Sequence, residues 1–266
     1  MMLWHERQGS GPDLVLVHGW GLHGGIWGDL PARLAQHFRV TTLDLPGHGR
    51  SREVNGDGSL DAFTDRVAEL CSGAAIWLGW SLGGLIALNA ALRHPHKVAQ
   101  LVLVGATPKF VQAPDWPHAM PKAVFADFAR SFAQDYRATL LRFLSLQVGG
   151  NESARVLLKQ LRADMFAHGE PQPEALAAGL AILEQTDWRT HLAEIQVPTL
   201  VVHGSHDRLA PPAAGEYLAA QLPKARLLRV AGAGHAPFLS HAALLADAVS
   251  AADTATSARP GAAEVT

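Results

Sequence analysis

The apolar run Ala75-Ile76-Trp77-Leu78 leads into Gly79-Trp80-Ser81-Leu82-Gly83-Gly84. A helical apolar period follows through Leu85, Ile86, Leu88, Ala90 and Ala91, until His94-Pro95 stops it. No other stretch narrows the possible folds as far. A short buried strand has to feed a sharp turn, and a helix has to leave it at once. Such a turn leaves no room for side chains at its flanks, so glycine stands at 79 and 83. Ser81 is expected at the tip, on strained backbone, with its hydroxyl above the sheet near the positive end of the helix. Glycine and serine are common, so G-x-S-x-G spacing alone is a weak signal. The strand before it and the helix after it make it a nucleophile elbow.

The rest of the chain supplies matching parts. Short apolar strands are expected at Leu14-Val15-Leu16-Val17, Arg39 to Leu43, Val98 to Val104, Thr199 to His203 and Ala225 to Val230. Helices are expected at Trp27 to His37, Leu60 to Leu70 with Ser59 as N-cap, Pro212 to Leu222, and Pro237 to about Ala252. Strands alternating with helices make an α/β protein with a mostly parallel sheet and right-handed crossovers. Residues 121–187 break the alternation with helical period alone. They read as a cap, residues 107–190, inserted in a core formed by residues 1–106 and 191–252. The small, polar tail, residues 253–266, is expected to be disordered. A chain of 266 residues suits one such core with its insertion.

A serine nucleophile needs a base, and the base needs an orienting acid. Asp207 follows one strand, in His203-Gly204-Ser205-His206-Asp207-Arg208. His235 follows the next, in Ala231-Gly232-Ala233-Gly234-His235. The order Ser81, Asp207, His235 is the one this architecture demands. Two backbone N–H groups should hold the developing oxyanion. Leu82, just after the serine, supplies one; Trp20, in His18-Gly19-Trp20-Gly21 after the first strand, supplies the other. Trp20 and Trp80 flank the serine and are expected to line an apolar pocket.

Composition excludes several other classes. The net charge of -2 favours neither nucleic acid nor a membrane surface as partner. The single cysteine, Cys71, cannot form an intrachain disulfide. With 14 histidines, His203 and His206 do not by themselves argue for a metal. No apolar run is long enough for a bilayer, and the N-terminus lacks an apolar signal core. The expectation is a cytoplasmic monomer using no cofactor and no metal.

The body of the chain, about residues 3 to 250, resembles the α/β-hydrolase superfamily. The marks are His18-Gly19-Trp20-Gly21, Asp44-Leu45-Pro46-Gly47-His48-Gly49-Arg50-Ser51 and the elbow. The implied fold is a mostly parallel central sheet with helices on both faces and an inserted helical cap. A narrower resemblance is to the pimeloyl-[acyl-carrier protein] methyl ester esterases, the BioH family of biotin synthesis. It is carried by Gly79-Trp80-Ser81-Leu82-Gly83, by His18-Gly19-Trp20-Gly21-Leu22, by Arg142-Phe143-Leu144-Ser145-Leu146-Gln147 and by Ala233-Gly234-His235-Ala236-Pro237-Phe238-Leu239-Ser240-His241. It implies hydrolysis of a carrier-bound methyl ester to methanol and pimeloyl-[acyl-carrier protein]. It also implies substrate contacts at Trp20, Ser81, Leu82, Phe143, Leu144, Ser145, Leu146, Gln147 and His235. Residues 160–180 match only loosely, and the tail after Asp253 has no counterpart.

Two expectations follow for the cap. Phe143, Leu144 and Leu146 should wall an acyl slot above Ser81. Arg137, Arg142, Arg155, Lys159 and Arg162, opposed only by Glu152 within that stretch, should offer an acidic acyl carrier protein a basic face. Arg155, Lys159 and Arg162 fall at i, i+4 and i+7, one face of a helix. The same triad also serves general carboxylesterases, lactonases and carbon–carbon bond hydrolases, and some ligand receptors retain it. A haloalkane dehalogenase would need aspartate where Ser81 stands.

Overall fold

The computed structural model describes residues 1–54, 57–147 and 165–257. In chain order the elements are β1 (His5–Gln8), β2 (Asp13–Val17), α1 (Leu30–Leu34), β3 (Arg39–Leu43), α2 (Leu60–Ala68), β4 (Ala75–Trp80), α3 (Leu82–Arg93) and β5 (Val98–Val104). Then come α4 (Lys122–Gln134), α5 (Tyr136–Gln147), α6 (Pro173–Gln185), β6 (Thr199–Gly204), α7 (Pro212–Gln221), β7 (Ala225–Val230), α8 (Pro237–Ser240) and α9 (Ala242–Ser257). One sheet runs β1-β3-β2-β4-β5-β6-β7. β1 pairs antiparallel with β3, and every other neighbouring pair is parallel.

The central strands are apolar on both faces because helices cover both faces. Every residue of β4 and β6 is buried, and six of seven in β5. α3 lies against the sheet with Leu82 to Ala91 buried throughout. Its one polar side chain there, Asn89, donates to Asp61 Oδ1 at 2.8 Å and to Thr64 Oγ1 at 2.9 Å, both on α2. α2 starts as its sequence requires: Ser59 Oγ accepts the Ala62 N–H at 3.1 Å.

Some expectations need correction. β1 was not foreseen. Its sequence, His-Glu-Arg-Gln, has no apolar alternation because it is an edge strand with three of its four residues exposed. The helix expected from Trp27 to His37 is a 3-10 turn, Gly24–Trp27, followed by the short α1; Gly28 separates them with φ 58°. The C-terminal helix is two, broken at His241, and the second runs to Ser257, into the expected tail. Residues 258–266 lie outside the described chain.

Between β5 and β6 the described chain carries α4, α5 and α6. Its two roots are tied together: Trp188 N–H donates to Pro108 O at 3.0 Å, and Lys109 Nζ lies 3.1 Å from Asp187. Among the described residues no helix is long and apolar enough to cross a membrane.

Candidate active site

β4 ends at Trp80, and Ser81 turns the chain into α3 with φ 56° and ψ -115°. Ser81 is the only non-glycine residue with positive φ among the described residues. An L-side chain there is strained by about 1–3 kcal/mol. The neighbours enforce the turn. A Cβ added at Gly79 would stand 2.2 Å from Gly83 O, and one at Gly83 would stand 2.1 Å from Val17 O. The elbow is therefore locked between its own halves and the end of β2.

β6 and β7 deliver the other two residues. Asp207 and His235 are fully buried, and His235 Nδ1 lies 2.7 Å from Asp207 Oδ2. Asp207 Oδ1 accepts the N–H groups of Leu209 and Ala210, each at 2.9 Å. Burial alone would raise the Asp207 pKa, but the neighbouring His235 and His203 outweigh it and hold the carboxyl below the usual range. An ionised Asp207 requires the proton of His235 on Nδ1, which leaves the lone pair on Nε2. That Nε2 is buried and has no hydrogen-bond partner among the described residues. Ser81 and His235 line the same cavity. Trp80 fixes the loop from behind: its Nε1–H donates to His235 O at 2.9 Å.

The loop after β2 passes beside the serine. A Cβ on Gly19 would lie 3.3 Å from Ser81 Cβ. His18 anchors this loop: its Nδ1–H donates to Gly19 O at 2.8 Å, and its Nε2 accepts the Leu45 N–H at 2.9 Å. Burial, then the neighbouring His48, push the His18 pKa down to about 3, so it is a neutral strut. Asp44 completes the anchor. Its carboxylate accepts the Gly24 N–H at 2.7 Å and is chelated by Arg50 at 2.8 and 3.0 Å. The His18 and Asp44 motifs thus hold backbone in place around the serine. On α3, the Leu82 N–H is at the first helical position, where no intrahelical acceptor exists.

The cavity wall departs from expectation. Trp20 lines the cavity, but Trp80 does not; it is 1% exposed and packs against Trp27 and Phe238 in the core. The apolar wall above Ser81 and His235 comes from Val124, Phe125 and Phe128 on α4 and Leu180 and Leu183 on α6, with Leu209 beside the Asp207 turn. These were not foreseen. The apolar stripe Val124, Phe125, Phe128, Phe132 on one helical face was a legible signal, but not one that said what it faced. Trp20 joins loop to helices: its Nε1–H donates to Leu176 O at 2.8 Å, and its ring meets Phe128 and Phe132 edge-on at 5.5 Å.

Phe143, Leu144, Ser145, Leu146 and Gln147 form the last turns of α5, and their side chains lie outside what is described. Of the five basic residues, Arg155, Lys159 and Arg162 also lie outside it. Arg142 is exposed on α5. Arg137 is paired with Glu170 and stacks over Phe166 at 4.6 Å, so a carboxylate beyond the stretch considered in the sequence already opposes it. Among the described residues no group of three or more His, Cys, Asp or Glu could hold a metal ion.

Residues 12–242 match the family described as alpha/beta hydrolase fold. A pimeloyl-[acyl-carrier protein] methyl ester esterase of Xanthomonas oryzae is 47% identical over 91% of this chain and 94% of its own length. The protein of that name from Nitrosomonas europaea is 44% identical over 88% of this chain and 93% of its own. Among solved structures, an esterase from Exiguobacterium antarcticum superposes with a TM-score of 0.85 at 25% identity, covering 94% of this chain and 95% of that one. By that match and by these relatives the chain belongs to the α/β hydrolases and, within them, to the pimeloyl-[acyl-carrier protein] methyl ester esterases.

Proposed function

We propose that the chain is a serine esterase that hydrolyses the methyl ester of pimeloyl-[acyl-carrier protein], releasing methanol and the free carboxylate. One observation carries the chemistry: His235 is oriented by Asp207 and keeps an unpartnered, buried Nε2 on the cavity that holds Ser81. The names of the relatives carry the substrate.

In this reading Ser81 Oγ attacks the ester carbonyl while His235 Nε2 takes its proton. Asp207 stabilises the imidazolium that forms. The N–H groups of Leu82 and Trp20 hold the oxyanion. His235 then returns the proton to the departing methoxide oxygen, and methanol leaves an acyl-Ser81. Water, deprotonated by His235, attacks that acyl group; His235 passes the proton to the departing Ser81 Oγ, which frees the acid and restores the enzyme. The apolar wall suits an uncharged methyl ester and disfavours the product carboxylate, whose desolvation there is costly. The wall thus helps expel product.

The run Phe143 to Gln147 is proposed to contribute to the acyl slot. The carrier protein is proposed to dock on the basic face of Arg137, Arg142, Arg155, Lys159 and Arg162. Its thioester stays near the mouth while the methyl ester reaches Ser81. Charge reversal at Arg155 and Lys159 should slow turnover of a carrier-bound ester and leave a small free methyl ester unaffected.

The test is Ser81→Ala. Its kcat on the carrier-bound ester should fall by about 10⁴-fold or more, and it should not rescue growth of a biotin-requiring strain lacking this esterase. Wild type should rescue it. Near-normal turnover by Ser81→Ala ends the mechanism; failure of active wild type to rescue ends the substrate assignment.

A further inference from the structure

His203 is the last residue but one of β6, is 1% exposed, and has no part in the steps above. Its Nε2 lies 2.7 Å from Ala210 O and 3.3 Å from Asp207 Oδ2. A carbonyl and an ionised carboxylate can only accept, so Nε2 must carry the proton and Nδ1 the lone pair. That Nδ1 is buried and has no hydrogen-bond partner among the described residues. α7 presses on it so closely that a Cβ at Gly215 would stand 2.5 Å away. A buried nitrogen left unsatisfied is destabilising. An apolar ring of similar shape would fill the space without that cost. What such a ring could not do is donate.

We propose that His203 is a positioning residue for the reaction: its Nε2–H, bonded to Ala210 O and 3.3 Å from Asp207 Oδ2, anchors the turn that holds the carboxylate in the plane that serves His235. Three donors then clamp Asp207, and His203 lies against it. Leu209 and Ala210 N–H hold Oδ1 and His235 holds Oδ2; His203 Nε2 lies 3.3 Å from Oδ2 and holds the carbonyl of Ala210. The titratable groups acting on Asp207 are these two histidines. The His203 N–H does two things. Through Ala210 it keeps the turn that grips Oδ1 from shifting away from His235, and its positive end beside Oδ2 offsets negative charge that would otherwise stabilise the His235 imidazolium. Without it, His235 should hold its proton to higher pH and be worse aligned toward Ser81. The role rests on the Ser81, His235, Asp207 triad proposed above.

The experiment compares His203→Phe and His203→Gln with wild type on a small methyl ester across pH, with Ser81→Ala and Asp207→Asn measured alongside. His203→Phe keeps a ring but loses the donor. It should lower kcat by about 10-fold or more, leave KM nearly unchanged, and move the acid limb of kcat/KM to higher pH. The downfield proton resonance of His235 Nδ1–H should shift with it. His203→Gln, whose amide can donate, should recover most of kcat and the wild-type limb. If His203→Phe does not fold, His203→Met against His203→Gln makes the same comparison of no donor with donor. Wild-type kcat and pH profile in the donor-less variant overturn the role. So do equal losses in both variants with an unmoved acid limb, which mean packing only. Persistent activity in Ser81→Ala or Asp207→Asn would instead overturn the triad. Their inactivity beside an unaffected His203→Phe removes the His203 role alone.

Discussion

Ser81 lies where an L-residue is strained and glycine is not, at φ 56°. The usual order of stabilities should therefore invert there. At an ordinary helix start alanine is better than glycine, because glycine loses more chain entropy on folding. At position 81, Ser81→Gly should be more stable than Ser81→Ala by about 1 kcal/mol, since it sheds the strain that alanine retains. Both should be inactive. Urea unfolding of the two variants measures this, and an alanine variant that is the more stable would mean that the elbow is not strained. The elbow residues were readable from sequence because their chemistry is local. Gly79 and Gly83 are required by contacts within a few residues and with the neighbouring strand end. His203 was visible only as one histidine of 14, because its partner at Asp207 is set by how the turn after β6 folds back.

At the scale of elements, the helical segment decides what reaches the serine. Trp20 is bonded to Leu176 O and meets Phe128 and Phe132, so it joins the loop after β2 to the α4 and α6 helices. Phe128 belongs to the cavity wall and to this joint. Phe128→Ala should raise KM for medium-chain methyl esters several-fold to tenfold. That is the lower end of the scale set by roughly 1–3 kcal/mol of apolar contact. A short aryl acetate, which does not reach the wall, should be little affected. An equal change on both substrates would show that Phe128 only packs the helices onto the core. Strand positions were legible because buried parallel strands are continuous apolar runs: β3, β5 and β7 lie at the bounds expected. β1 was not, since an exposed edge carries no such run. The helices of the segment were legible by period. Which of them overhangs Ser81 was not, because a helical stripe states that a face is covered and not by what. Val124 shows why: it lines the cavity while remaining 53% exposed.

Across the whole molecule, the loops around the serine are held by buried neutral histidines, and this ties stability to pH. Burial pushes the pKa of His18 down to about 3 and that of His48 down to about 4, while in an unfolded chain each titrates near 6.5. Between those values the unfolded chain binds protons that the folded chain refuses, so stability rises with pH there. It is fully present above about pH 6.5 and is lost as the pH falls toward 4. Each histidine adds a slope of at most about 1.4 kcal/mol per pH unit. Asp44 works lower. Burial opposes its ionisation, but Arg50 holds its pKa below the ordinary value, so its contribution is lost only below about pH 4. His48 is the one to remove. Its Nδ1–H donates to Pro46 O at 2.9 Å, a bond asparagine can replace, and its Nε2 has no partner among the described residues. Urea unfolding from pH 8 to 4.5 should show a plateau and then a decline below pH 6.5. His48→Asn should decline less steeply over the same window, by up to one proton's slope. Parallel curves for the two proteins would mean that His48 accepts its proton in the folded state, and the neutral anchor of these loops would have to be abandoned.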